Sequence, residues 1–237
     1  MTDNHLPLAP PATAEKLPCA SDLSALVRLL YSYQHRANFV DVAPWIKIRV
    51  NRQQYDLLRE TIERLFRRFD FDPTRKTLIL RMPSAVHDFF SNLVAGELRD
   101  RLQGIASQGG NIGTLAANII SGGSSRIRLS EGVPESSSVI ERRPDAQFQH
   151  TGAVYPGVVL EVSYTQDGKN VSKIAQDYIL YSNGDVKAVI GVRVNKDKDA
   201  SLSLWSPKYT RSDGKEVLEA EEIISNASRG SADPYYF

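Results

Sequence analysis

Arg143-Pro144-Asp145-Ala146-Gln147-Phe148 and Pro156-Gly157-Val158-Val159-Leu160-Glu161-Val162-Ser163 are the two stretches that decide how this chain reads. The first ends in a strand-like alternation and the second opens an apolar run. Gly152, Pro156 and Gly157 between them mark a turn. Strands at about 142–149 and 157–165 follow. A turn centred on Ala153 sets Asp145 opposite Glu161, with Cβ atoms about 4.5–5.5 Å apart. Two carboxylates at that spacing repel unless a cation neutralises them. Magnesium, which takes oxygen ligands, is one such cation. Glu161 also interrupts a run, Val158-Val-Leu-Glu-Val, that otherwise reads as a strand buried on both faces. A buried charge needs a partner. Spacing leaves two readings open: a metal between the carboxylates, or a structural ion pair of Glu161 with Arg143 or Lys173.

Working outward, residues 170–182 carry Val171, Ile174, Ala175, Tyr178 and Ile179 at helical spacing, and Asn183-Gly184 stops that helix. Strands follow at Val186–Val194 and Ala200–Trp205. On the N-terminal side a helix is predicted at about 84–106, capped by Ser84. A glycine- and serine-rich loop fills 107–125, with a short helical turn at 115–120, and Arg126-Ile-Arg-Leu is a short strand. Further upstream lie a helix at 21–37, a strand at Trp45–Val50, a helix at about 52–69 broken by Asp70–Arg75, and the strand Thr77–Met82. Residues 1–20 hold Pro7, Pro10, Pro11 and Pro18 among small and polar residues and read as a flexible tail. The charged tail 209–237 offers only a short helix at 216–224.

Composition narrows the class. Of 237 residues 41% are hydrophobic, enough for a sizeable core. Lys plus Arg number 29 against 28 acidic residues, a net charge of +1, so any basic groove for nucleic acid is local. The single cysteine, Cys19, rules out an intrachain disulfide and a cysteine-based zinc site, and fits a reducing, intracellular compartment, cytoplasmic or nuclear. No apolar run reaches the roughly 18–20 residues of a membrane span. Phosphate-loop, dinucleotide-binding, nucleophile-elbow and His-Glu-x-x-His patterns are absent.

Pro144-Asp145 followed by Glu161-Val162-Ser163 resembles the motif of PD-(D/E)XK nucleases. With Met82-Pro-Ser-Ala-Val-His87, Arg143-Pro-Asp, Val159-Leu-Glu-Val-Ser and Tyr178-Ile, it looks like uncharacterised fungal restriction-endonuclease-like proteins over roughly 75–206. The resemblance implies an α/β fold with a restriction-endonuclease-like core of helix, three strands, helix and strand. That core would span 76–208, after an N-terminal helical extension at 21–75. It implies a metal-dependent nuclease acting on nucleic acid, DNA favoured, with Mg2+ (or Mn2+) on Asp145, Glu161 and the Val162 carbonyl.

The family's lysine position holds Ser163 here, so activity stays open. Lys173, with Lys169 one turn before it, either reaches back over the carboxylates or is a solvated helix lysine. Glu97, Gln147 and Gln166 are assisting candidates with equally plain surface roles. His87 reads as structural and His150 as a turn residue. Arg64, Arg67, Arg68, Arg126 and Arg128 are candidate DNA contacts or a solvated face. The rival function is a catalytically inactive nuclease-fold module that binds nucleic acid or a protein partner, and a third reading is a protein-interaction domain whose helical N-terminal part, residues 21–75, forms the interface. A homodimer is also expected from the resemblance.

Overall fold

The structure is a computed structural model that describes residues 22–36, 45–82, 85–130, 139–164, 170–195, 198–212 and 214–227. Its elements are a mixed α/β set. The N-terminal part holds α1 (Leu23–Arg36), β1 (Trp45–Arg49), α2 (Arg52–Leu65), β2 (Arg68–Asp72) and β3 (Thr77–Arg81). Then come α3 (Ala85–Ala106), α4 (Gly110–Ala117), β4 (Ile119–Ser121), β5 (Ile127–Leu129), β6 (Ile140–Arg142), β7 (Ala146–His150) and β8 (Val158–Tyr164). The chain continues through α5 (Val171–Tyr181), β9 (Ala188–Asn195), β10 (Lys198–Ser212) and β11 (Lys215–Ala227). No helix among the described residues is long and apolar enough to cross a membrane.

The strands form two sheets, ordered β1-β3-β2-β6-β5 and β11-β10-β9-β8-β7-β4. In the second, β4, β7 and β8 run antiparallel in turn. The crossover through α5 then lays β9 parallel to β8. Both faces of β8 are covered: Val159 packs with Ala175, Tyr178 and Ile179 of α5, while Leu160 and Val162 pack towards Phe90 and Val94 of α3. This double burial is why the run from Val158 to Val162 lacks the alternation of a half-exposed strand.

The sequence predicts one helix over about 52–69. The structure ends it at Leu65 and makes Arg68-Phe-Asp-Phe-Asp a fully buried strand. Helix α2 starts in a capping box: Asn51 Oδ1 accepts from the Gln54 amide at 2.8 Å, and Gln54 Oε1 accepts from the Asn51 amide at 3.0 Å. In β2 the period of two turns Phe69 and Phe71 to the apolar core. The Tyr55 ring stacks on Phe71 at 3.9 Å between centroids. Arg68, Asp70 and Asp72 take the other face. Apolar residues at helical spacing masked this alternation in the sequence.

Further differences have equally local causes. The stretch 142–149 is not one strand: Pro144, which has no amide hydrogen to donate, separates β6 in the first sheet from β7 in the second. Arg126-Ile-Arg-Leu supplies β5, which pairs with β6 rather than with the site hairpin. The strand beside β7 is β4, within the predicted loop, and α4 occupies 110–117 rather than 115–120. The helix predicted at 216–224 is instead β11, the return arm of a long hairpin. Its turn uses Gly214 at φ 75°, a region open to glycine. The 21–75 extension does not stand apart, since its strands share a sheet with β6 and β5, and the core's last strand runs past 208 to Ser212. The expectations for 1–20, Ser21, Ser84, Gln166 and Lys169 lie outside the described residues.

Replacing Phe71 by Ala removes a fully buried ring from the Tyr55 stack, and we expect a loss of about 3–5 kcal/mol in urea denaturation. A loss below about 1 kcal/mol would mean that β2 does not pack as described.

Candidate functional site

The turn between β7 and β8 closes with the Ala153 amide donating to the His150 carbonyl at 2.9 Å. The hairpin register pairs Ala146 with Leu160 and Gln147 with Val159, which sets Asp145 opposite Glu161 as the sequence predicts. The Asp145 amide donates to the Leu160 carbonyl at 3.1 Å, and the Val162 amide donates to Asp145 Oδ2 at 2.6 Å. Backbone geometry therefore fixes the aspartate on the edge of the glutamate's strand.

What meets the two carboxylates is protein. Arg68 Nη1 on β2 lies 2.6 Å from Asp145 Oδ1, and its Nη2 lies 3.1 Å from Asp88 of α3. Arg81 Nη1 at the end of β3 lies 3.2 Å from Glu161 Oε2. The Tyr178 hydroxyl on α5 donates to Glu161 Oε1 at 2.8 Å. His87 Nε2 sits 3.5 Å from Asp145 Oδ2 and 3.3 Å from the Val162 carbonyl. Behind this layer, Asp70 receives Arg81 Nε at 3.0 Å and the Arg143 amide at 2.9 Å, and it lies 3.8 Å from Arg142. Arg142 also binds Asp177 of α5. The Asp145 side chain is 1% exposed and that of Glu161 0%.

Electrostatics follow from that enclosure. Burial pulls the Arg81 guanidinium towards neutrality, but Asp70, Glu161 and Asp145 hold its pKa well above the ordinary value. Asp70 and Asp177 raise Arg142 in the same way against its own desolvation. Burial, then the negative charge of Glu161 and Asp70, pushes the Tyr178 phenol well up, so it stays a hydrogen donor.

The other sequence candidates take different places. Ser163 is buried, with no hydrogen-bond partner for its hydroxyl. Gln147 is buried and donates to the Ser125 carbonyl at 2.7 Å, tying the loop after β4 to β7. Lys173, 46% exposed, lies 4.0 Å from Asp177 one turn along its own helix. Glu97 accepts from Arg101 at 2.8 Å in an exposed pair. Val162 gives its amide to Asp145 and turns its carbonyl towards His87. Of the five candidate DNA-contact arginines, Arg68 is interior and Arg126 pairs with Glu63 at 3.2 Å and Glu141 at 3.4 Å. Arg64 donates to the Tyr31 hydroxyl at 2.8 Å, while Arg67 and Arg128 are exposed. His150 accepts from the Gly152 amide at 3.2 Å within the turn.

Sequence reasoning placed Asp145 against Glu161 and missed the charged cluster around them: Arg68, Asp70, Arg81, Arg142 and Asp177, of which Arg68 and Arg81 meet the two carboxylates. The signal for the first two was the two-residue period of Arg68-Phe-Asp-Phe-Asp. Comparison with protein-family models, with curated proteins and with solved structures finds no match to this chain.

As a magnesium site the donor set fits poorly. Each of the two carboxylates already faces a guanidinium. No group of three or more histidine, cysteine or acidic side chains arranged to hold a metal occurs among the described residues.

Two outcomes follow. Arg81→Met strips the cation from buried Glu161 and Asp70, and we expect about 3–5 kcal/mol of destabilisation in urea titrations. Adding Glu161→Gln should restore part of it, and strictly additive losses would refute the pairing. For pH, the Tyr178 phenol is raised in the folded chain relative to about 10 when unfolded. Its contribution is therefore whole below pH ~10 and lost as pH climbs towards the folded value. Stability of Tyr178→Phe should fall less steeply than wild type between pH 9 and 11, and parallel curves would rule this out.

Proposed function

We propose that the chain is a restriction-endonuclease-like domain that has become a non-catalytic binding module, its acidic pair turned into a structural joint. The supporting observation is the enclosure of Asp145 and Glu161, which are 1% and 0% exposed and each closed on an arginine from the other sheet. A phosphodiester and a metal-bound water need the space those guanidinium groups fill. Helix α3, the antiparallel strands β4, β7 and β8, helix α5 and the parallel strand β9, with α4, β5 and β6 inserted between them in the chain, support the fold half of the reading. Ser163 in place of a lysine, and Lys173 turned towards Asp177, support the loss of catalysis.

A second reading, a magnesium-dependent nuclease acting on DNA, is favoured by one observation: the hairpin register brings the two carboxylates together as the motif requires. In that reading the arginines withdraw when metal and nucleic acid arrive.

One assay separates them. Wild-type protein and an Asp145→Asn/Glu161→Gln variant are incubated with single- and double-stranded DNA and RNA in Mg2+ and in Mn2+. We expect no metal-dependent cleavage above the variant's background, and no heat of Mg2+ binding by titration calorimetry. Cutting by wild type that disappears in the variant would overturn the module and establish the nuclease.

A further inference from the structure

Beyond Glu161 on the same face of β8, the strand opens into a cavity of about 370 Å³. Ser163, the N-terminal turn of α5, Gly191 and Arg193 of β9, Ser203 and Trp205 of β10, and Glu222 of β11 line it. The volume lies at the small end of the range for ligand pockets, about 300–1,000 Å³. None of the acidic-pair groups contributes to its wall.

Several hydrogen donors converge there. Helix α5 is eleven residues long and begins at Asn170, whose side chain takes the Lys173 amide at 2.9 Å and whose carbonyl takes the Ile174 amide at 3.1 Å. The amides of Val171 and Ser172 come before any intrahelical acceptor and have no acceptor among the described residues, at the positive end of the helix dipole. Their residues line the cavity. Ser163 is an independent sign of a missing ligand: it is 2% exposed, its Oγ is buried without a hydrogen-bond partner, and it lines the same space. A buried hydroxyl left unsatisfied is destabilising, and a ligand oxygen would satisfy it. Arg193 brings a guanidinium with no carboxylate in ion-pair range among the described residues.

The opposite wall has another chemistry. Trp205 packs edge-on against Gly191, where a Cβ would lie 2.7 Å from its ring and 2.7 Å from Val171. That closeness holds an apolar surface beside the donors. Glu222, exposed and two strands across from β9, offers an acceptor at the rim. Donors at one end, carbon-compatible surface in the middle and an acceptor at the far side describe a small hydroxylated molecule with one strongly anionic head.

We propose that this cavity binds a terminal phosphate monoester, its phosphoryl oxygens on the α5 amides, Ser163 and Arg193 and its hydroxyl groups towards Glu222. A helix N-terminus favours phosphate because amide donors and dipole act together. A guanidinium adds charge-assisted bonds that a carboxylate cannot use as fully as the three oxygens of a monoester. A free sugar phosphate and the phosphorylated end of a nucleic-acid strand share this head group, and the test tells them apart. The proposal does not rest on the silence of Asp145 and Glu161.

The full chain is titrated by calorimetry and amide NMR with inorganic phosphate, ribose 5-phosphate, a 5′-phosphorylated trinucleotide, and ribose and the unphosphorylated trinucleotide as controls. Saturable binding of the phosphorylated probes, none of the controls, and shifts at the Val171 and Ser172 amides are expected. Arg193→Gln should weaken binding at least tenfold. Ser163→Ala should weaken it at least threefold while leaving the urea midpoint unchanged or higher, which a merely structural serine would not do. A stronger response to ribose 5-phosphate marks a small-molecule site, and a stronger response to the trinucleotide marks a strand end. No saturable binding of any phosphorylated probe, or undiminished affinity in Arg193→Gln, overturns the proposal.

Discussion

The arginines of β2 and β3 hold the two sheets in one arrangement. Arg68 and Arg81 leave the first sheet and end on Asp145 and Glu161 beside and within the second, with Asp70 behind them shared between Arg81 and Arg142. Burying ions is costly, and an interior ion pair adds little net stability over an apolar replacement. Its consequence is specificity. A one-residue slip of β2 would turn Arg68 and Asp70 to the aromatic side and bring Phe69 and Phe71 against the carboxylates. Only the observed register satisfies both the Tyr55–Phe71 stack and the charges.

That joint also encloses the acidic pair. Carboxylates in a hydrolytic metal centre keep an open side for water and substrate. Here Tyr178 from α5 and His87 from α3 close the flanks that the arginines leave. Arg81 and Arg142 are held charged by several carboxylates at once, so neither is easily displaced. Removing one positive group from such a cluster leaves more than one negative charge exposed to the interior. The cluster therefore resists piecemeal change.

Much of the second sheet was legible in the sequence because its signals are local. The turn between Gly152 and Gly157 fixed the hairpin register, and the register alone set Asp145 against Glu161. The periodicity of 170–182 gave α5, and the apolar run gave β8. What stayed hidden depends on distant partners. Arg68-Phe-Asp-Phe-Asp looks like the polar end of a helix until Glu141, Asp145 and Tyr55 are known to meet it. The strand β11 carries Glu216, Glu219, Glu221 and Glu222, and charge at that density reads as a solvated helix or tail. Pairing with β10 over ten register positions makes it a strand all the same. Lys173 was read as a candidate because position, not direction, is visible in sequence, and its side chain follows the helix to Asp177.

The two polar positions on one face of β8 have parted in role. Glu161 meets the Arg81 guanidinium and the Tyr178 phenol, whereas Ser163, two residues on and beside Arg193 of β9, lines the cavity at the start of α5. Ser163 places no charge of its own between Glu161 and the helix's positive end. The hairpin β10–β11, which lies outside the helix–strand core around the acidic pair, supplies the far wall of that space through Ser203, Trp205 and Glu222. The proposed phosphate site therefore lies at the junction of α5 with β9, β10 and β11, apart from the hairpin that bears the acidic pair.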